Sequence, residues 1–107
     1  MPKFLLIYHG GGIPETPEEG EATMAAWGAW YQAMPAGAIV DPGNPVSQSH
    51  TVSSSGHTED GGANPVSGYT ILDLPDIEAA CDLAAKNPMV VDGSGSVEVA
   101  EIMGMEQ

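Results

Sequence analysis

Residues 3–9, "KFLLIYH", are apolar almost without a break, the pattern of a strand covered on both faces. Alternation puts Phe4, Leu6 and Tyr8 on one face and Leu5, Ile7 and His9 on the other. Three glycines follow, Gly10 to Gly12. "TPEE" then carries Thr16 as N-cap, Pro17 at the first helical position and Glu19 where it can close a capping box, so a helix is predicted to start there. Within "EEGEATMAAWGAWYQAM", the spacing of Met24, Trp27, Tyr31 and Met34 predicts one buried helical face, with Trp30 beside it. Gly28 costs this helix about 1 kcal/mol relative to alanine, and one reading is that another element packs closely on it.

"AGAIVDPGNP" predicts a short strand over 38–41, stopped by Pro42, Gly43 and Pro45. The arm at 42–68 is the least regular part. Residues 46–53 read as an irregular strand, and 54–68 as a loop rich in Gly, Ser, Asn and Pro. "GYTILDL" alternates Tyr69, Ile71 and Asp73 against Thr70, Leu72 and Leu74, a strand over 68–74. "PDIEAACDLAAKN" predicts a second helix with Ile77, Ala80, Cys81 and Ala84 on its inner face, ended by Asn87 and Pro88. After "DGSGS" the last strand falls at 97–103.

Two β-α-β units in so short a chain predict an α+β fold, a ferredoxin-like sandwich with two helices on one face of a four-stranded, mainly antiparallel sheet. The other sheet face then lacks a cover. Leaving its apolar residues in water is unfavourable, so the expectation is a homodimer in which two sheets pair across a two-fold axis.

Composition narrows the partners. At 107 residues the chain reads as one domain, 1–107, with a modest core. It has two basic residues, Lys3 and Lys86, no arginine and 15 carboxylates, for a formal charge of -13. Neutralising phosphates takes several basic side chains, so no nucleic acid is expected as partner. Nucleotides, coenzyme A and anionic lipid surfaces are disfavoured for the same reason. The lone Cys81 can form neither an internal disulfide nor a cysteine zinc site, and its place in the apolar helical pattern predicts a buried, inert thiol. No stretch approaches the 18 consecutive apolar residues of a membrane span, so no membrane is expected and the predicted location is cytoplasmic.

The segments "MPKFLLIYHGG", "MAAWGAWYQAM", "AGAIVDPGNPV", "SGYTILDLPDIEAACDLAAKNP" and "GSVEVAEIM" together resemble the YCII-related domain family over essentially the whole chain. The resemblance implies a ferredoxin-like fold assembled as a dimeric α/β barrel. For some relatives it also implies a His and Asp pair, and for one branch a lyase acting on chlorinated hydroxyquinols. The family's histidine would fall near Ala26 and Trp27, but this helix contains no histidine. The aspartate that often precedes proline after the second helix is Asn87 here, and a sister subgroup's "DGPF" is replaced by "GGANPVSG". The family's pair is therefore not carried over.

A proton-transfer group working near neutral pH would be one of the three histidines. His9 ends a core strand beside glycines, where a side chain can face a cavity rim or simply close the strand. Asp41 and His50 could orient it if the 42–68 arm folds back over the sheet, although Asp41 before Pro42 also reads as a turn residue. In "HTED", His57, Glu59 and Asp60 read more simply as a solvated loop than as a metal site, so no metal and no cofactor is expected. Trp27, Trp30, Tyr31 and Tyr69 could line a pocket for a small neutral or aromatic molecule, or serve only as core. Two functions follow from these readings. One is a cofactor-independent enzyme of lyase or isomerase type using His9, Asp41 and His50. The other is a non-catalytic dimeric module that binds a ligand or a protein.

Overall fold

The structure, a computed structural model, describes residues 2–11, 15–62 and 64–104; Gly12, the third glycine of the first run, lies outside them. The apolar run forms strand β1 (Lys3–Gly10), and Phe4, Leu6 and Tyr8 are buried while Leu5, Ile7 and His9 are half-buried, the division that alternation predicts. Helix α1 (Pro17–Gln32) starts where its cap predicts: the Thr16 hydroxyl accepts from the Glu19 amide at 3.1 Å. The Glu19 carboxylate accepts from the amide of Glu15, one residue before the cap, at 2.8 Å.

Strand β2 (Ile39–Asp41) is followed by a feature the sequence reading misses. Residues read there as an irregular strand and a loop pair as β3 (Thr51–Ser53) and β4 (Gly56–Thr58), an isolated hairpin whose strand residues are all exposed. Strand β5 (Val66–Asp73) begins two residues earlier than predicted. Helix α2 (Ile77–Ala84) is capped by Asp76. Asn87, expected only to end that helix, instead caps a further short helix, α3 (Pro88–Val91), by accepting from the Met89 amide at 3.0 Å. Strand β6 (Gly95–Glu101) completes the fold.

β1 pairs antiparallel with β5 on one side and β6 on the other, and β2 flanks β5, giving the order β2-β5-β1-β6. The chain is α+β, with a four-stranded antiparallel sheet and three helices among the described residues. The core lies between sheet and helices: Phe4, Leu6, Tyr8 and Leu72 meet Trp30, Met34, Ala80, Ala84 and Met89. On the far face Leu5, Ile7, Tyr69 and Ile71 stay half-buried, and Val40 is exposed. The molecule is flat, 47 × 43 × 19 Å, and its radius of gyration of 15.2 Å exceeds the roughly 13 Å of a compact chain this long.

Three helix expectations are corrected. Met24 is 77% exposed, and the inward face of α1 is carried by Trp27, Trp30 and Tyr31, with Trp30 its one buried residue and Met34 buried just beyond the helix end. No element packs on Gly28, where an added Cβ would meet nothing within 4 Å. In α2 the face is rotated from the predicted one: Ala80 and Ala84 are buried, with Ala79 and Leu83 packed beside them, which leaves Ile77 and Cys81 exposed. No described helix is long and apolar enough to cross a membrane.

Candidate functional site

Beside the large side chains of α1 lies a cavity of about 1250 Å³. Its walls come from α1, the carboxyl end of β1, the turn after β2, the start of β5, and α3. Four rings form its aromatic part. Trp27 meets Tyr8 edge-on with centroids 5.0 Å apart and an interplanar angle of 87°, and meets Trp30 at 5.6 Å and 86°. Tyr31 tilts against Trp30 at 5.1 Å and against Trp27 at 6.2 Å. Such edge-to-face geometry places the electropositive ring edge on the negative face of its neighbour. Trp30 is also anchored through its indole N–H, which donates to the Leu83 carbonyl at 2.8 Å.

Behind the rings lies a closed hydroxyl network. Tyr8 Oη and Thr70 Oγ1 are 2.6 Å apart, Thr70 donates to the Pro42 carbonyl at 2.9 Å, and Tyr31 Oη reaches both Thr70 Oγ1 (3.1 Å) and that carbonyl (3.2 Å). Three hydroxyl protons and one carbonyl close without an orphan when both tyrosines donate to Thr70 and Thr70 donates to Pro42. Burial pushes the Tyr8 hydroxyl well above its ordinary pKa, against the opposing hydrogen bond from Thr70. Tyr8 therefore stays protonated and acts as a hydrogen-bond donor.

Close backbone approach shapes the wall. Gly43 has φ of +75°, and a Cβ there would land on the Tyr69 carbonyl. Opposite Tyr8 in the sheet stands Gly68, where a Cβ would come within 3.2 Å of the Tyr8 ring and of the Asn44 carbonyl.

The predicted ligand-binding residues Trp27, Trp30, Tyr31 and Tyr69 all border this cavity. Tyr69 joins no ring pair among the described residues, because its register opposite Ile7 puts it on the far face; Tyr8 is the fourth ring of the cluster. Tyr8 and Thr70 are thus the site residues that sequence reasoning missed. The available signal was two hydroxyl-bearing residues on the inward faces of apolar strands, where each needs a partner.

His9, Asp41 and His50 do not come together, and none of them lines the cavity. The His9 ring sits between two acceptors: Nε2 is 3.1 Å from a Glu98 carboxylate oxygen and Nδ1 is 3.3 Å from the Pro65 carbonyl. Only the imidazolium can donate to both, and the hydrogen bond to Glu98, foremost, raises the His9 pKa above its ordinary 6.5. Asp41 accepts from the Gly43 amide at 2.8 Å, the role of a turn residue. In the hairpin arm, the Gln48 amide lies 3.1 Å from His50 Nε2, and His50 Nδ1 lies 2.8 Å from His57 Nε2. Among the described residues no group of three or more His, Cys, Asp or Glu is placed to hold a metal.

No protein-family model matches the chain, and no curated protein matches it.

Proposed function

We propose that this chain is a small-molecule-binding module whose site is the aromatic cavity between α1 and the sheet, and that its occupant is a small ligand with an aromatic or apolar body. The observation that carries this reading is a cavity of about 1250 Å³ beside four packed rings, large enough for a drug-sized ligand, lined by Tyr8 and Tyr31, whose hydroxyls are tied together through the buried Thr70. The catalytic reading has less support, because both nitrogens of His9 face acceptors and Asp41 is engaged in a turn.

The finer fold reading belongs to the same proposal. The order β2-β5-β1-β6 with every neighbour antiparallel is the arrangement a ferredoxin-like sandwich requires, and it supports the resemblance to the YCII-related family. The half-buried Leu5, Ile7, Tyr69 and Ile71, with exposed Val40, form the apolar face on which two sheets would pair in a homodimer.

Tryptophan emission tests the binding reading. The chain has only two tryptophans, Trp27 and Trp30, and both line the cavity, so intrinsic fluorescence reports on this site alone. A library of small aromatic and apolar compounds is expected to yield saturable emission changes with a matching rise in melting temperature. A library that changes neither would overturn the proposal.

A further inference from the structure

We infer that the ligand of this cavity is cationic: an apolar or aromatic body bearing an ammonium group, held by cation–π contact with Trp27 and Tyr31 in the negative field of the chain. The inference rests on the binding proposal above and deepens it by naming the charge of the ligand.

Three observations carry it. The first is which rings are free. Tyr8 and Trp30 are buried, with 5% of their surface exposed, whereas Trp27 and Tyr31 are half-buried, one helical turn apart, and tilted by 39° at 6.2 Å. Two partly open rings inclined to each other offer negative π faces to one small cation, and tryptophan is the strongest such partner.

The second is the charge around the cavity. Glu19 and Asp92 border it, and Lys86 is the one cation to do so. Asp92 is held below the ordinary carboxylate range by its hydrogen bonds to Ser94, so it is ionised at neutral pH. Lys86 is exposed, and its long flexible stem lets the ammonium extend into water. The only other lysine, Lys3, stands at the far end of β1 from Tyr8 and Gly10, and His9 does not line the cavity, its ring being paired with the Glu98 carboxylate.

The third is the field of the whole molecule. With 2 basic residues against 15 carboxylates, the formal charge is -13 on a chain of 107 residues. Such a field concentrates small cations at the surface and repels anions, and an apolar cleft opening into it focuses the effect. A neutral ligand would gain nothing from this arrangement, and a carboxylate or phosphate ligand would meet no arginine.

The test compares benzylammonium, benzyl alcohol and benzoate, which share one ring and nearly one shape and differ in charge. Binding to the full-length chain is followed by calorimetry and by tryptophan emission at low and at moderate salt. Benzylammonium is expected to bind about threefold to thirtyfold more tightly than benzyl alcohol, the span that cation–π energies convert to, with benzoate weakest. Trp27→Leu, which keeps an apolar side chain and removes the π face, is expected to bring the ratio of benzylammonium to benzyl alcohol affinity towards one. Both ligands lose the packing surface of the ring in that variant, so the affinity ratio is the readout; a ratio unchanged from the wild type overturns the cation–π role of Trp27, and circular dichroism would verify that the variant folds. Benzyl alcohol binding as tightly as benzylammonium overturns the cationic assignment and leaves the binding proposal standing. Failure of all three to bind overturns both.

Discussion

At the residue scale, the fate of each polar group follows from the face its register gives it. Thr70 is fully buried and is the hub through which the Tyr8 hydroxyl reaches an acceptor, whereas Tyr31 also reaches the Pro42 carbonyl directly. Thr70→Val keeps the shape and orphans the buried Tyr8 hydroxyl, so it should cost about 1–3 kcal/mol in urea denaturation. Tyr8→Phe removes the orphan, so the double variant should lose less than the sum of the two single losses. His9 predicts a pH effect of definite sign. Its folded pKa is raised, so the stability it adds is fully present below the ordinary value of 6.5 and is lost as pH rises through the folded value. An NMR titration should place the His9 midpoint above 6.5, and Glu98→Gln should move it down. The buried or open character of β1 positions was legible from alternation alone. The partners of His9 were not, because Glu98 and Pro65 reach it only through strand pairing and the return of the arm.

Legibility at the element scale tracks how far a segment's own chemistry decides its structure. The start of α1 could be read from Thr16, Pro17 and Glu19 because capping is local. The β3–β4 hairpin could not, since "TVS" and "GHT" bury nothing and so carry no two-residue hydrophobic period. Helix α3 is four residues long, too short for any helical period, and Asn87 before Pro88 served equally well as a stop signal or as its cap. The Gly28 expectation failed for a related reason: a glycine reveals a cost, not what stands beside it. With open space at Gly28, Gly28→Ala should raise stability by roughly 1 kcal/mol in thermal or chemical denaturation, and would lower it if an element did pack there. Gly43→Ala should do the reverse. Its φ of +75° alone would cost about 1–3 kcal/mol with a side chain, before the overlap with the Tyr69 carbonyl is counted.

For the whole molecule, the α+β class and the pairing of four strands followed from the order of elements, which leaves few un-knotted solutions. The cavity followed only in part. Helical spacing identified Trp27, Trp30 and Tyr31, but spacing cannot tell a ring that fills a core from one that borders a void, because that difference is set by what the tertiary fold places opposite the helix. The flat shape carries the assembly prediction. Light scattering should find a dimer for the wild-type chain, and Ile7→Glu, which charges the middle of the far sheet face, should shift it to monomer while leaving the helix-facing core untouched.

Binding in the aromatic cavity is tested by calorimetric titration of the wild-type chain and of Ala26→Phe, a cavity-lining change that puts a ring into the space, with the tightest ligand found by tryptophan emission. Saturable binding to the wild-type chain, weakened at least about tenfold in Ala26→Phe, is the predicted result. Equal binding by the two proteins would place the ligand outside this cavity and overturn its assignment as the binding site.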